Sequence, residues 1–480
     1  MNSSFAYLPP QERKKIMLIC DDIRVHSGVA TVAKEIVIHT AQHFNWVNVG
    51  GAINHPEQGK RLDLSPDTNN NTGLTDSSII LYPSNGYGDA RLIRQLIQLE
   101  KPDAIFLITD PRYFIWLFQI ENEIRKKMPI IYLNIWDDYP APMYNEAYYE
   151  SCDALLAISK QTENINKLVL GDKAKNKIIA YVPHGINEKI FFPVDVENSE
   201  YDNLQKLKKA LYGDKNFEYI VFYNARNIRR KCVSDLIAAY QVFVDGLTDE
   251  QAAKCALVLH TQPIDEHGTD LVAVKDLICT EKANVLFSNN RISSQELNLL
   301  YNLSDVCVLP SSNEGWGLSL TEAMMCGKMI IANVTGGMQD QMRFENEKGE
   351  WIKFDENFCS NHFGTYKKCG EWAIPVFPSN SSLVGSVPTP YIWDDRLDFR
   401  DLAKALKEGL DLGKDEREKR GKAARIWVTS DEAMMSARWM CTNVIKYIDQ
   451  TLATWTPRKS FELIKIEKQP VKKLRHKLVY

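Results

Sequence analysis

The 480-residue sequence has no apolar stretch approaching the ~20 residues that a membrane-spanning helix needs. It also has no C-x-x-C pair and no cysteine spaced with histidine as a metal site would require. These absences exclude helical membrane proteins, zinc ribbons and disulfide scaffolds. The ten cysteines are scattered, and most lie in apolar segments (Cys20, Cys255, Cys307), where buried, reduced thiols are expected. The first residues, MNSSFAYLPPQERKKIMLIC, place charge before only a short apolar run and lack a small-residue cleavage site, so no secretory leader is expected. A reducing cytoplasm suits such a chain. Charge of one sign is also scarce: the net charge is −4, so any affinity for polyanions must come from a local patch. Internal repeats are missing, and low complexity is confined to the loop 66–71.

What is present is the composition of a globular protein, 44% hydrophobic and 25% charged. The chain is too long for one core, so two domains are expected. Short apolar runs recur at 16–20, 46–49, 78–81, 104–108, 130–134, 154–158 and 179–182, then at 218–222, 256–260, 284–287, 306–309 and 329–332. Helical segments separate them, which predicts parallel sheets covered on both faces. The polar stretch 193–203 reads as the linker. The expected division is a first Rossmann-like, acceptor-side domain over 1–195 and a second over 204–432. A helix over 433–450 is expected to cross back to the first domain, and a basic tail occupies 451–480. Residues 342–398 break the rhythm with aromatics, Gly, Pro and Asn, and read as an ordered insertion.

The segment 310–340, PSSNEGWGLSLTEAMMCGKMIIANVTGGMQD, carries the most chemistry. A short strand is followed by Glu314-Gly315-Trp316-Gly317, a helical run containing Glu322, and a second strand. That βαβ order sets the glycine turn at the carboxyl end of a parallel strand, where open α/β sheets bind ligands. Gly315 and Gly317 let the backbone approach a phosphate, and the helix-opening N–H groups form an anion site. An acid two turns into the helix suits ribose hydroxyls. Either glutamate alone is better explained as an acid favoured by the helix dipole.

The whole block resembles the nucleotide-sugar signature of retaining GT-B glycosyltransferases of the family 4 type, E-G-[FW]-G-L-x-x-x-E-A-M-x-x-G followed by a strand and Gly-Gly. Glu314, Gly315, Trp316, Gly317, Leu318, Glu322, Ala323, Met324, Gly327, Gly336 and Gly337 match it. The resemblance implies that Glu314 faces the donor sugar, that the amides of Trp316, Gly317 and Leu318 hold the distal phosphate, and that Glu322 takes the ribose. It extends from about residue 16 to 340. Val182-Pro183-His184-Gly185-Ile186-Asn187 with Phe192-Pro193 is similar to the family's V-P-N-G-x-D…F-x-P, and Ser27-Gly28 stands where the family has Gly-Gly. Gly28 is a donor-side candidate with Ser27 and the adjoining His26.

Two cations at a strand's carboxyl end can clamp a diphosphate and stabilise a leaving nucleotide. Arg226 and Lys231 lie five apart, as in the family's G-R-x-x-x-x-K-G, although Asn224-Ala225 and Cys232 replace its flanking small residues. Arg229 and Arg230 are equally explained as solvated surface. With such a clamp no metal and no cofactor is expected, and the resemblance implies a nucleoside-diphosphate sugar as donor. No acidic D-x-D occupies a donor-side strand end. Gly86-Tyr87-Gly88 lacks the third glycine and the acid of a dinucleotide site.

Many family members carry a histidine after the fifth strand of the first domain; this chain has Asn134-Ile135-Trp136-Asp137-Asp138-Tyr139. Asp110, Asp137 and Asp138 are candidates for binding sugar or acceptor hydroxyls, with structural capping an equal alternative. For the acceptor, the best expectation is a hydroxymethylated base in DNA. It draws on the basic tail, on aromatics such as Tyr391 and Trp393 that can hold a displaced base, and on a resemblance of DDIRVHSGVATVAKEI to phage-encoded glycosyltransferases. The alternatives are a cell-envelope lipid or glycan, with peripheral contact between the tail and anionic headgroups, a non-catalytic sugar-binding protein, or a phosphorylase or epimerase on the same scaffold.

Overall fold

A computed structural model describes residues 7–355, 358, 360–459 and 461. The first half forms one sheet from β1 (Lys14–Asp21), β2 (Phe44–Gly51), β3 (Leu62–Asp63), β4 (Ile79–Pro83), β5 (Ala104–Ile108), β6 (Ile130–Asn134), β7 (Ala154–Ala157) and β8 (Ile178–Tyr181). Its order is β3-β4-β2-β1-β5-β6-β7-β8, parallel throughout except for β3 against β4. In the second half β9 (Tyr219–Asn224), β10 (Cys255–His260), β11 (Val285–Ser288), β12 (Val306–Leu309), β13 (Met329–Asn333) and β14 (Ala373–Val376) pair as β11-β10-β9-β12-β13-β14. Unbroken apolar runs form these strands because helices cover both sheet faces; Ile16 to Cys20 and Val306 to Leu309 are all fully buried.

Both sheets reverse direction at their first strand. The chain lays strands outward from β1 and then restarts with β5 on its other side; it does the same with β9 and β12. Each reversal opens a crevice beyond the strand ends, at β1 in one domain and between β9 and β12 in the other. The two reversal points therefore set where a ligand can lie.

The aromatic-rich stretch differs from the expected separate insertion. Residues Ala373–Val376 complete the second sheet as a parallel edge strand against β13, with Ile331 opposite Ile374. Residues beyond it form an antiparallel hairpin, β15 (Asn380–Ser386) and β16 (Thr389–Arg396). The linker is held rather than loose: Asn298 and Asn302 side chains accept from the backbone N–H groups of Phe192 and Val194 at 3.0 and 2.7 Å. The helix Ala437–Thr454 packs on the helix Gly28–His39 of the first domain, with the Cys441 thiol directed at the Glu35 carbonyl (3.8 Å). The main chain bridges there as well, Ile186 N–H donating to Met435 O at 3.0 Å. Arg458 continues onto the first domain through Glu121 at 2.6 Å. The tail residues Lys465, Lys468, Lys472, Lys473, Arg475 and Lys477 lie outside the described residues. No helix among the described residues is long and apolar enough to cross a membrane.

Candidate functional site

The loop after β12 and the helix Leu318–Met325 form the centre of the site. Gly317 opens that helix with φ 91°, and no side chain caps it, so its first N–H groups keep their anion-binding capacity. Trp316 is itself buried, its indole N–H donating to Thr321 at 3.1 Å, which leaves the backbone as the part that can meet a ligand. Gly315 touches the first domain: a Cβ there would lie 2.8 Å from the Ile135 carbonyl and 3.1 Å from an Asp137 carboxylate oxygen. On the other side, a Cβ at Gly28 would approach Leu318 to 3.3 Å. The Ser27–Gly28 helix start and the Gly317–Leu318 helix start thus meet across the domains. Ser27 caps its own helix by accepting from the Ala30 N–H and donates its hydroxyl to Asp21.

The two glutamates occupy opposite electrostatic environments. Glu314 accepts from Lys231 and, at 2.9 Å, from Arg230, whose guanidinium also donates to the Asn313 carbonyl at 2.9 Å. Burial alone would raise the Glu314 carboxyl, but Arg230 and Lys231 outweigh it and hold the group at about 2. Burial lowers Lys231 from the usual lysine value, against the pull of Glu314. Asp137 completes the group from the first domain: burial raises its carboxyl while Arg230 opposes the rise. Among the described residues Glu322 has no cation partner. It accepts from the Tyr301 hydroxyl at 2.6 Å and from Asn224 at 3.4 Å, and burial pushes it up to about 7 against both bonds.

Other expected residues take different places. Arg226 does not join Lys231; it forks onto Asp265 at 2.8 and 3.2 Å and is more than half exposed. Asp110 caps the turn Pro111–Phe114 and pairs with Arg112, which in turn reaches Thr389 on the hairpin. Asp138, expected at the cleft, is fully buried. Its oxygens accept from the Tyr139 N–H, Gln161 and Thr335 at 2.7, 2.7 and 2.9 Å, and Thr335 lies equally close to Asp395. Burial and the neighbouring Asp395 push the Asp138 carboxyl well up.

Tyr391 and Trp393, expected to face an acceptor, are half-buried and make packing contacts with the first domain. The Tyr391 hydroxyl accepts from Met143 N–H at 3.2 Å, and its ring meets Tyr144 edge-on at 5.0 Å. Trp393 bonds through its backbone N–H to Tyr139 O at 2.8 Å and accepts from Asn313 at 3.2 Å. The hairpin is thus wedged between the Glu314 loop and the first domain. Sequence reasoning left Arg230 open between function and solvated surface, and missed Tyr301 and Asn224. The basic run 229–231 and the position of Asn224 at a strand end were the available signals; nothing local marked Tyr301.

Beyond Asn224, the ends of β10 and β11 enclose a cavity of about 190 Å³ lined by His260, Thr261, Ser288, Asn289 and Arg291, with His26 of the first domain. Two doubly wound domains whose reversal points face one another define the class of α/β proteins that hold a ligand between domains. Residues 205–357 match the family described as Glycosyl transferases group 1. That segment is similar to a group 1 glycosyl transferase domain, and the fold of the chain is GT-B. It is 31% identical over 194 residues to N-acetyl-alpha-D-glucosaminyl L-malate synthase of Bacillus anthracis, 40% of this chain and 44% of that protein. The chain spans 39% and 44% of the length of two curated relatives it matches, and 58% of a third. A glycosyltransferase structure from Rickettsia africae ESF-5 superposes with a TM-score of 0.63 at 16% identity, covering 92% of this chain and 99% of that one. An Anabaena protein solved in complex with UDP and glucose gives 0.61 at 11% identity, covering 91% and 100%. At those identities the likeness is one of fold.

Proposed function

We propose that this protein transfers a glycosyl group from a nucleoside-diphosphate sugar to an acceptor hydroxyl, with retention at the anomeric carbon. The observation that carries the reading is the alignment of an uncapped helix start at Gly317–Leu318 with Lys231 on one side and Glu322 along the same helix. Phosphate oxygens take the helix amides and the lysine, and ribose hydroxyls take Glu322. The base then fits the cavity at His260 on β10 and Ser288 on β11, two and three strands from β12, where strand spacing gives a reach of about 10–15 Å. UDP and glucose bound to the Anabaena neighbour support a donor of this kind. The sugar is directed at Glu314 and Asp137, between the domains.

In the reaction the bond from the anomeric carbon to the diphosphate oxygen breaks, and the acceptor oxygen bonds on the face that the diphosphate leaves. The acceptor proton passes to the departing phosphate oxygen. Lys231 and the helix amides stabilise the charge that develops there, which is the largest contribution such a site can make. The finer acceptor reading, a hydroxymethylated base in DNA, draws on the basic tail and on the resemblance of the segment DDIRVHSGVATVAKEI to phage-encoded glycosyltransferases.

The test is incubation with labelled nucleotide sugars, alone and with hydroxymethylated DNA, anionic lipid vesicles or sugar phosphates. Release of nucleoside diphosphate with a product retaining the donor's anomeric configuration by NMR is expected, and Lys231→Ala should abolish it. A wild-type protein that binds none of UDP, GDP or ADP would overturn the reading. For the DNA acceptor, removal of residues 456–480 should weaken DNA binding and flatten its salt dependence. Transfer to lipid or sugar phosphate without salt-dependent DNA affinity would exclude DNA.

A further inference from the structure

We propose that Arg230, not Arg226, is the guanidinium that joins Lys231 in holding the donor's diphosphate, and that Glu314 is the counter-ion both cations leave when the donor arrives. The inference rests on the nucleotide-sugar reading above. Its basis is the turn Arg229–Lys231, which follows β9 and is bolted to the loop before Glu314: Ser312 donates its N–H to the Arg230 carbonyl at 2.8 Å and its hydroxyl at 3.3 Å. That anchoring brings the Arg230 side chain to the same Glu314 oxygen that Lys231 reaches.

The guanidinium is incompletely used. Its hydrogen bonds among the described residues leave from Nη1, to the Asn313 carbonyl and to Glu314, so Nε and Nη2 keep their donors. About a third of the side chain is exposed (33%), and its charge acts on Asp137 from the opposite domain, so it faces the interdomain space. Arg226 is the reverse case: both ends of its fork are taken by Asp265, and it is 59% exposed. An arginine fork matches two phosphate oxygens at once, whereas a lysine meets them as a point charge. The pair therefore divides the work, with Arg230 orienting the diphosphate and Lys231 lying close to the leaving oxygen.

Charge balance fits the exchange. Without donor, two cations face two carboxylates, Glu314 and Asp137. A diphosphate supplies anionic oxygens that replace Glu314 as the partner of both cations, and Glu314 is then free to accept from sugar hydroxyls. Neither cation is left unpaired at any stage.

Calorimetric titration with UDP, GDP and ADP, and with the monophosphate of whichever binds, tests the assignment. Wild-type protein should favour the diphosphate. Arg230→Gln should weaken diphosphate binding by about tenfold to a hundredfold, the loss expected for charge-assisted hydrogen bonds, with monophosphate binding little changed. Arg230→Lys, which keeps the charge without the fork, should fall between, and it guards against an unfolded glutamine variant. Arg226→Gln should bind as wild type does. Undiminished diphosphate affinity in Arg230→Gln, or a loss confined to Arg226→Gln, overturns the assignment while the nucleotide-sugar reading stands. Failure of the wild-type protein to bind any nucleoside diphosphate removes both.

Discussion

Glu314 and Glu322 lie eight residues apart and differ in ionisation because one has cations beside it and the other has only neutral donors. The consequence for Glu322 has a definite sign. Its folded value near 7 lies above the ordinary 4.5, so between those values the folded protein keeps a proton that the unfolded chain has released. Stability therefore falls as pH rises across that window, and ionised Glu322 opposes folding above it. Glu322→Gln, which retains a partner for Tyr301, should raise Tm at about pH 8 and leave it unchanged near pH 4. In the wild type, ribose hydroxyls need the ionised carboxylate, so nucleotide affinity should weaken as pH falls below about 7, and the glutamine variant should flatten that dependence. Parallel melts and titrations across pH measure both. A gain in stability accompanied by a loss of ligand affinity is what a binding carboxylate predicts; a purely structural one would lose stability.

At the scale of elements, the hairpin β15–β16 joins the donor-side loop to the first domain. Asp395 N–H donates to Ser312 O at 2.9 Å on one side, while Tyr391 and Trp393 meet Tyr139, Met143 and Tyr144 on the other. Tyr391→Phe removes one hydroxyl that bonds only to backbone groups. It should lower stability by about 1 kcal/mol in denaturant unfolding, with turnover unchanged. A fall in turnover without a fall in stability would instead mean that the hydroxyl meets an acceptor. The exposed hairpin tip, with Val387 98% exposed, takes no part in this packing.

Across the whole molecule, the last helix ties the ends of the chain together. Met440, Cys441, Val444 and Ile448 are fully buried against the first domain. Each such apolar side chain contributes roughly 1.5–3 kcal/mol by leaving water. Replacing Met440 and Val444 together by alanine should lower Tm by differential scanning calorimetry and increase proteolysis of the first domain. Nucleotide affinity should hold, because Glu314, Lys231 and Glu322 belong to the second domain. An equal loss of nucleotide binding would show that the first domain holds the nucleotide as well.

Local spacing was enough to reveal every strand formed by an unbroken apolar run and the glutamate-bearing glycine turn, because each depends on residues within one or two turns of chain. The edge strand Ala373–Val376 was hidden, since Pro375 and its aromatic neighbours mask a run that β13 alone makes a strand. The choice between Arg226 and Arg230 could not be read from their spacing to Lys231. It follows from partners 39 residues away for one and 84 for the other, Asp265 and Glu314, which strand order brings to the two sides of one turn. Nor could local spacing show that Tyr391 meets Met143, 248 residues earlier. Residue types and short periods state which chemistry is possible; which charges face one another is settled by the sheet order that gathers distant strand ends at a single cleft.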